Sequence, residues 1–478
     1  MASGPLKKLT AYEKAIENQS FNYLSQPGAL RRVFAASALA RAQLGRNHIA
    51  RSYQPTKDSL LNRRMIHAAG SSPYDLSVFM ARRIQCLRAW EKARAANDFS
   101  RVAEPLQALV NHIRKDAALR AAALGKGSPY EALVDGYTPG LRLRDLDMWS
   151  DDLSVFCGRV LGIVKSNPQS DPALALSVAD QKNMARVLMM KMGLNPERLA
   201  DTAHPLTLGT QDDVRIGMHY DPANFAQTML DLMHETGHAV YRAAISPAHH
   251  LSAAMDEAMA LMVENHAART PIFAFNLVAM AQDMEIPSLD KKINAAHVFS
   301  DFFNDRRGKT RAHAHELAYP LHLILRIRLE RMVIDDNLPV RDIPKMWKQI
   351  FCDLTDMAPP QDDCDGALQD IHWFAGQWGY FPQYLAGMLA AAQFYETALE
   401  KNPAIGAAIQ RGQIRPLTGW IENKIAARGE GETFLDQVEN VTRTPLDTWS
   451  WMNHAMGRYG SADWWQYRPD LPKIGLTD

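Results

Sequence analysis

Apolar side chains recur along most of this chain at the three-and-four spacing of helices, while the strict alternation of half-buried strands is almost absent. Alanine, leucine, methionine, arginine and glutamine fill long segments without β-branched runs. The pattern predicts helices at about 28–50, 74–96, 99–124, 143–165, 171–193, 223–245, 252–269, 311–335, 383–400 and 432–442. One stretch departs from it: between Thr207 and Tyr220, Val214 and Ile216 alternate with Arg215, the best strand candidate. The expected fold is mainly α with one small sheet. No linker, internal repeat or low-complexity tract divides residues 1–478, so a single catalytic unit is expected.

The helix over 223–245 carries the chemistry. Asp221-Pro222 reads as its N-cap and first-turn proline, and Phe225, Met229, Leu232, Met233 and Val240 recur at helical spacing. Within it lies His234-Glu235-Thr236-Gly237-His238. Residues four apart share a helix face, so the two imidazoles can grip one metal ion while Glu235 points toward a water beside it. Gly237 is the odd residue, because an interior glycine costs about 1 kcal/mol relative to alanine. Close approach of another backbone or of substrate is the expected compensation.

Two histidines leave a catalytic zinc short of a third protein ligand, which comes from a second element and leaves one position open. Ser246-Pro247 ends the first helix, and Asp256-Glu257 lies near the start of the next, with eighteen residues between His238 and Glu257. A glutamate on an antiparallel neighbouring helix completes such a set. Glu257 is the expected third ligand, with Asp256 and then Glu264 as alternatives; without the upstream motif, these acids would read as a solvated helix face. A zinc ion in this set brings the pKa of a water toward about 7 and polarises a carbonyl. Glu235 is the expected general base, passing the water's proton to the departing amine.

Composition narrows the class further. The 478 residues are 47% hydrophobic and 22% charged, an ordinary globular balance. Lysine plus arginine equals aspartate plus glutamate at 53 each, so no global field favours nucleic acid or an anionic membrane. No apolar signal core follows Met1 to Lys8 and no run of about 18 apolar residues appears, so a cytoplasmic protein is expected. Cys86, Cys157, Cys352 and Cys364 lack paired spacing, which suggests neither a disulfide framework nor a thiolate metal site. The arginines before residue 70 are dispersed among alanines and leucines and read as a solvated face or lobe contact.

Several segments resemble the thermostable metallocarboxypeptidase family (carboxypeptidase Taq-like, metallopeptidase family thirty-two). They are His234 to Tyr241, Trp378-Gly379-Tyr380-Phe381-Pro382-Gln383-Tyr384, Tyr319-Pro320-Leu321-His322 and Pro129 to Tyr137. The resemblance spans roughly 86–470 and leaves 1–85 as a divergent N-terminal helical segment. It implies a two-lobed helical peptidase of the neurolysin and angiotensin-converting-enzyme type, with a deep central groove. It also implies zinc, or sometimes cobalt, a homodimer, and removal of single residues from peptide carboxyl termini.

The chain departs from that pattern outside the metal set. The family's His-Pro-Phe is His204-Pro205-Leu206 here, and its Asp-x-Arg-x-Thr is Asp213-Val214-Arg215-Ile216-Gly217. Its Ile-Arg-x-x-Ala-Asp is Thr310-Arg311-Ala312-His313-Ala314-His315, and its His-Glu-Ser is Asp256-Glu257-Ala258. The connection from His238 to Glu257 is also several residues shorter. An enzyme that trims carboxyl termini must hold a carboxylate, for which arginine's planar fork is suited. Arg311 and Arg215 are the candidates, with His204 as a further substrate-side residue. Tyr380 and Tyr384 are candidate donors to the developing oxyanion. His322 and His372 read as supporting or core histidines, and the pairs His249-His250 and His313/His315 diverge too far on a helix to share a metal.

The leading expectation is therefore a zinc metallocarboxypeptidase acting on peptides. A specialised zinc amidohydrolase for a small non-peptide or modified amino-acid amide is the alternative, because the departures cluster outside the metal set. A catalytically silent, metal-containing binding protein is a third reading. The retained Glu235 argues against it, since a structural zinc needs no free carboxylate beside its ligands.

Overall fold

The computed structural model describes residues 73–163, 175–209, 211–245, 252–286, 295, 298, 302, 310, 311, 314, 316–427 and 432–459. The first half runs through α1 (Pro73–Ala95), α2 (Ser100–Leu124), α3 (Pro129–Tyr137), α4 (Leu143–Ile163) and α5 (Val178–Lys191). Three short strands follow, β1 (Leu199–Asp201), β2 (Leu206–Leu208) and β3 (Arg215–Met218), then α6 (Phe225–Ala244) and α7 (Ala253–Leu261). The chain continues with α8 (Pro271–Asp283), α9 (Tyr319–Ile334), α10 (Ile343–Thr355), α11 (Phe381–Lys401) and α12 (Pro403–Ile409). It closes with α13 (Arg415–Trp420), α14 (Phe434–Thr442) and α15 (Trp449–Tyr459). The expectation of a helical fold with one small sheet holds.

The differences have local causes. Most helices that periodicity missed open on a proline: Pro129, Pro271, Pro344, Pro403 and Pro416 occupy the first or second helical position. Proline reads as a breaker, yet there its missing N–H is one the helix cannot use anyway. Ser128 and Thr270 cap two of them by accepting from the N–H groups of Glu131 and Phe273. The helix expected from residue 311 begins at Tyr319, and that expected from 223 begins at Phe225 with Asn224, not Asp221, at its N-cap. Asp221 instead accepts from Ala223 N in a turn ahead of the helix. The 28–50 helix and the two outlying histidine pairs lie outside the described residues.

The strand candidate Thr207 to Tyr220 holds the end of β2 and all of β3, with a 3-10 turn at Gln211–Asp213 between them. Gly209 sits at φ +81°, where a Cβ would lie 2.0 Å from Asp213 O, so the chain reverses before β3. β2 pairs antiparallel with β3, Thr207 opposite Ile216, and β1 pairs parallel with β3 on its other side. On β3, Ile216 and Met218 are buried in the core.

Two glycines seat α7 at the centre. A Cβ on Gly237 of α6 would lie 2.5 Å from Ala260 Cα, and one on Gly387 of α11 would lie 2.9 Å from Ala254 O. The helices therefore meet nearly backbone to backbone. That answers the question Gly237 posed in the sequence. After Leu261 the helix widens into a π-turn over Met262–Ala268, which holds Glu264. Such turns recur at functional sites.

Candidate metal centre

α6 and α7 run antiparallel, so successive residues of one meet preceding residues of the other. His234 and His238 stand one turn apart with ring centroids 4.8 Å from each other. Glu257 reaches the pair from α7, its Oε2 3.9 Å from His238 Nε2. One ligand atom from each of His234, His238 and Glu257 lies within 4.8 Å of the other two.

The two other acids weighed for the ligand position occupy different places. Glu264 Oε2 lies 2.9 Å from His234 Nδ1, and Asp256 Oδ1 lies 3.1 Å from His238 Nδ1. A carboxylate on Nδ1 orients the ring and leaves Nε2 for a metal. Each acid is itself held by an arginine: Arg269 donates to Glu264, and Arg242 forks onto both oxygens of Asp256. Burial pulls His234 down, but Glu264 and Glu257, then Glu235, outweigh it and push the imidazole up to about 10. The site thus favours positive charge at this point. Burial raises the Glu257 carboxyl despite the opposing pull of His234 and His238. These donors fit a divalent cation such as zinc: two imidazoles, one carboxylate, and supporting carboxylates on both rings.

Glu235 is 6% exposed and accepts a 2.7 Å hydrogen bond at Oε2 from the Thr207 hydroxyl of β2. Tyr380 and Tyr384 pack edge to face at 5.2 Å, and Tyr384 Oη lies 3.5 Å from His372 Nε2. Burial raises both phenols, and Glu257 adds to the rise in each, so both hydroxyls keep their protons. Burial and the nearby Arg311 cation bring His372 down to about 4, leaving a neutral imidazole.

Arg311 stands beside the tyrosines, its guanidinium carbon 5.4 Å from the Tyr384 ring centroid. Its Nε donates to Asp370 at 2.9 Å, and Asp370 also takes Arg326. Burial opposes the charge, but Asp370 outweighs it and holds Arg311 firmly cationic. Arg215 pairs with Asp213 within β3's approach, while His204 is exposed with its carbonyl accepting from Thr202. His322 is buried against Phe351.

Thr207, Arg242, Asp370 and Glu330 support the site and lie outside the candidates drawn from the sequence. Arg242 had a signal, since it lies four residues after His238 on the same helix face. Glu330 is wholly buried and accepts from Tyr130 Oη, Trp373 Nε1 and Gly379 N. It thereby ties α3 and α9 to the segment that carries Tyr380.

This donor set, with the buried Glu235 next to His234 in the chain, is that of a hydrolase of the metallopeptidase class. The particular family follows from comparison: residues 34–459 match carboxypeptidase Taq (M32) metallopeptidase, and the chain belongs to that family. It is 28% identical over 392 residues to carboxypeptidase 1 of Bacillus subtilis, covering 78% of this chain and 76% of that one. Over 415 residues it is 30% identical to thermostable carboxypeptidase 1 of Thermus thermophilus, covering 81% and 80%. The solved carboxypeptidase of Pyrococcus furiosus superposes with a TM-score of 0.80 at 23% identity, over 96% of this chain and 99% of that one. Metallocarboxypeptidase 1 of Trypanosoma cruzi gives 0.77 at 24% identity, over 96% and 94%. Among the described residues no helix is long and apolar enough to cross a membrane.

Proposed function

We propose that this protein is a zinc-dependent carboxypeptidase that hydrolyses the C-terminal amide bond of peptides. The observation that carries the reading is the convergence of His234, His238 and Glu257 with Glu235 buried beside them. His234, His238 and Glu257 hold the metal, and cobalt suits the same donors. When bound, the ion supplies Lewis acidity to the scissile carbonyl and acidifies a water toward about pKa 7.

The chain's own residues do the rest. Glu235 takes the proton of the attacking water and delivers it to the departing amine nitrogen. Tyr380 or Tyr384, each protonated, donates to the oxygen on which negative charge develops. Arg311 holds the free carboxylate of the substrate, supported by its place against Tyr384 and its anchoring by Asp370. Arg215 and His204 line the approach in this reading. The groove lies between two helical lobes, and the enzyme acts as a cytoplasmic homodimer; the four free thiols suit a reducing compartment.

Glu235→Gln tests the mechanism, with zinc content and hydrolysis of a peptide library measured together. Hydrolysis should fall by roughly 10²–10⁴-fold while zinc is retained. Undiminished hydrolysis by a zinc-replete variant rules the mechanism out. Parallel assays on N-acyl amino acids separate a peptidase from a dedicated small-amide hydrolase, and light scattering reads the dimer.

A further inference from the structure

We infer that Thr207 is a positioning residue for the general base, itself held in place by Arg242. The inference rests on the reading of Glu235 as base. Thr207 is 7% exposed, and its hydroxyl lies 2.7 Å from Glu235 Oε2 and 3.0 Å from Glu235 O. A hydroxyl carries one proton, and the shorter of its two contacts is the one to Oε2. Oε2 is therefore taken, the side-chain rotamer is set, and Oε1 is the oxygen available to the water.

Thr207 is itself fixed from two sides. Its backbone is in register with Ile216 of β3, and its carbonyl accepts from Arg242 Nη1. The same guanidinium forks onto Asp256, whose Oδ1 lies 3.1 Å from His238 Nδ1. One cation on α6 thus joins the strand residue that orients the base to the α7 acid that faces His238. A serine would keep the hydroxyl with a looser rotamer, whereas valine keeps the shape and removes the bond. The small sheet's role is then to deliver one hydroxyl to the metal helix.

The test compares zinc-loaded wild type, Thr207→Val and Thr207→Ser by peptide kinetics, zinc affinity from chelator competition, and crystal structures. For Thr207→Val, kcat should fall roughly 10–100-fold while KM and zinc affinity stay within about twofold; Thr207→Ser should recover most of the loss. In the crystal, Glu235 should leave its wild-type rotamer in the valine variant and keep it in the serine variant. Unchanged kcat, or an unchanged Glu235 rotamer in Thr207→Val, overturns the inference. So does a kcat loss that follows lost zinc affinity and that serine does not restore. Full activity of zinc-replete Glu235→Gln would instead remove the underlying reading, whatever Thr207 does.

Discussion

Gly237 of α6 lies against Ala260 of α7 so closely that a Cβ there would stand 2.5 Å from Ala260 Cα and 2.4 Å from Met259 O. The contact sets how near Glu257 comes to His234 and His238, whose ligand atoms all lie within 4.8 Å of one another. Alanine at this position gains roughly 1 kcal/mol of helix propensity, but overpacking a helix contact costs typically about 1–3 kcal/mol. Gly237→Ala should therefore lower the thermal midpoint and weaken zinc binding together. A variant with wild-type melting and zinc affinity contradicts the tight contact.

Glu264 hydrogen-bonds Nδ1 of His234, whereas Asp256 lies 3.1 Å from Nδ1 of His238 as a charge partner outside hydrogen-bond geometry. Glu264→Gln and Asp256→Asn should each lower metal affinity by about 10–100-fold without abolishing binding. Glu257→Gln, which removes the proposed carboxylate ligand, should cost more. Chelator competition ranks the three, and equal loss in all would make the acids interchangeable.

Arg311 supplies a fork that lysine cannot. In Arg311→Lys, kcat/KM for peptides with a free carboxyl terminus should fall roughly 10–100-fold, a loss of about 1.5–3 kcal/mol of charged hydrogen bonding. Hydrolysis of the matching C-terminally amidated peptide should change little. An equal drop on both would place the carboxylate elsewhere.

Glu330 predicts a pH dependence of stability. Burial pushes its carboxyl from 4.5 up to about 8, against the hydrogen bonds from Tyr130, Gly379 and Trp373 and the Arg326 charge. Between these values the unfolded chain binds fewer protons than the folded one, so this group's contribution falls as pH rises and levels off above about 8. The slope is at most about 1.4 kcal/mol per pH unit. Denaturant titrations of wild type and Glu330→Gln should show a smaller decline in the variant between about pH 5 and 8. Parallel curves would mean that Glu330 ionises alike in both states.

Much of the fold was legible because the long helices, such as Ser100–Leu124 and Phe381–Lys401, carry enough periodic positions to declare themselves. Short helices opened by proline were not, because the same residue marks a break or a beginning according to what surrounds it. At the site, His234, Glu235 and His238 lie within one helix, where spacing alone sets a shared face. Asp256, Glu257 and Glu264 were all visible as acids. Which of them joins the two histidines in one cluster, and which lie against the ring nitrogens, depends on how α7 lies against α6.

By itself the sequence determined a helical scaffold and the placing of His234 and His238 on one helix face, because both depend on residues a few positions apart. The tertiary structure alone decided that Glu257 converges on the two histidines, that Glu264 and Asp256 lie against their Nδ1 atoms, and that Thr207 reaches Glu235 across 28 positions. Those relations are set by two glycine contacts, a strand register and one arginine fork. Each joins segments distant in the chain, and no local periodicity encodes them.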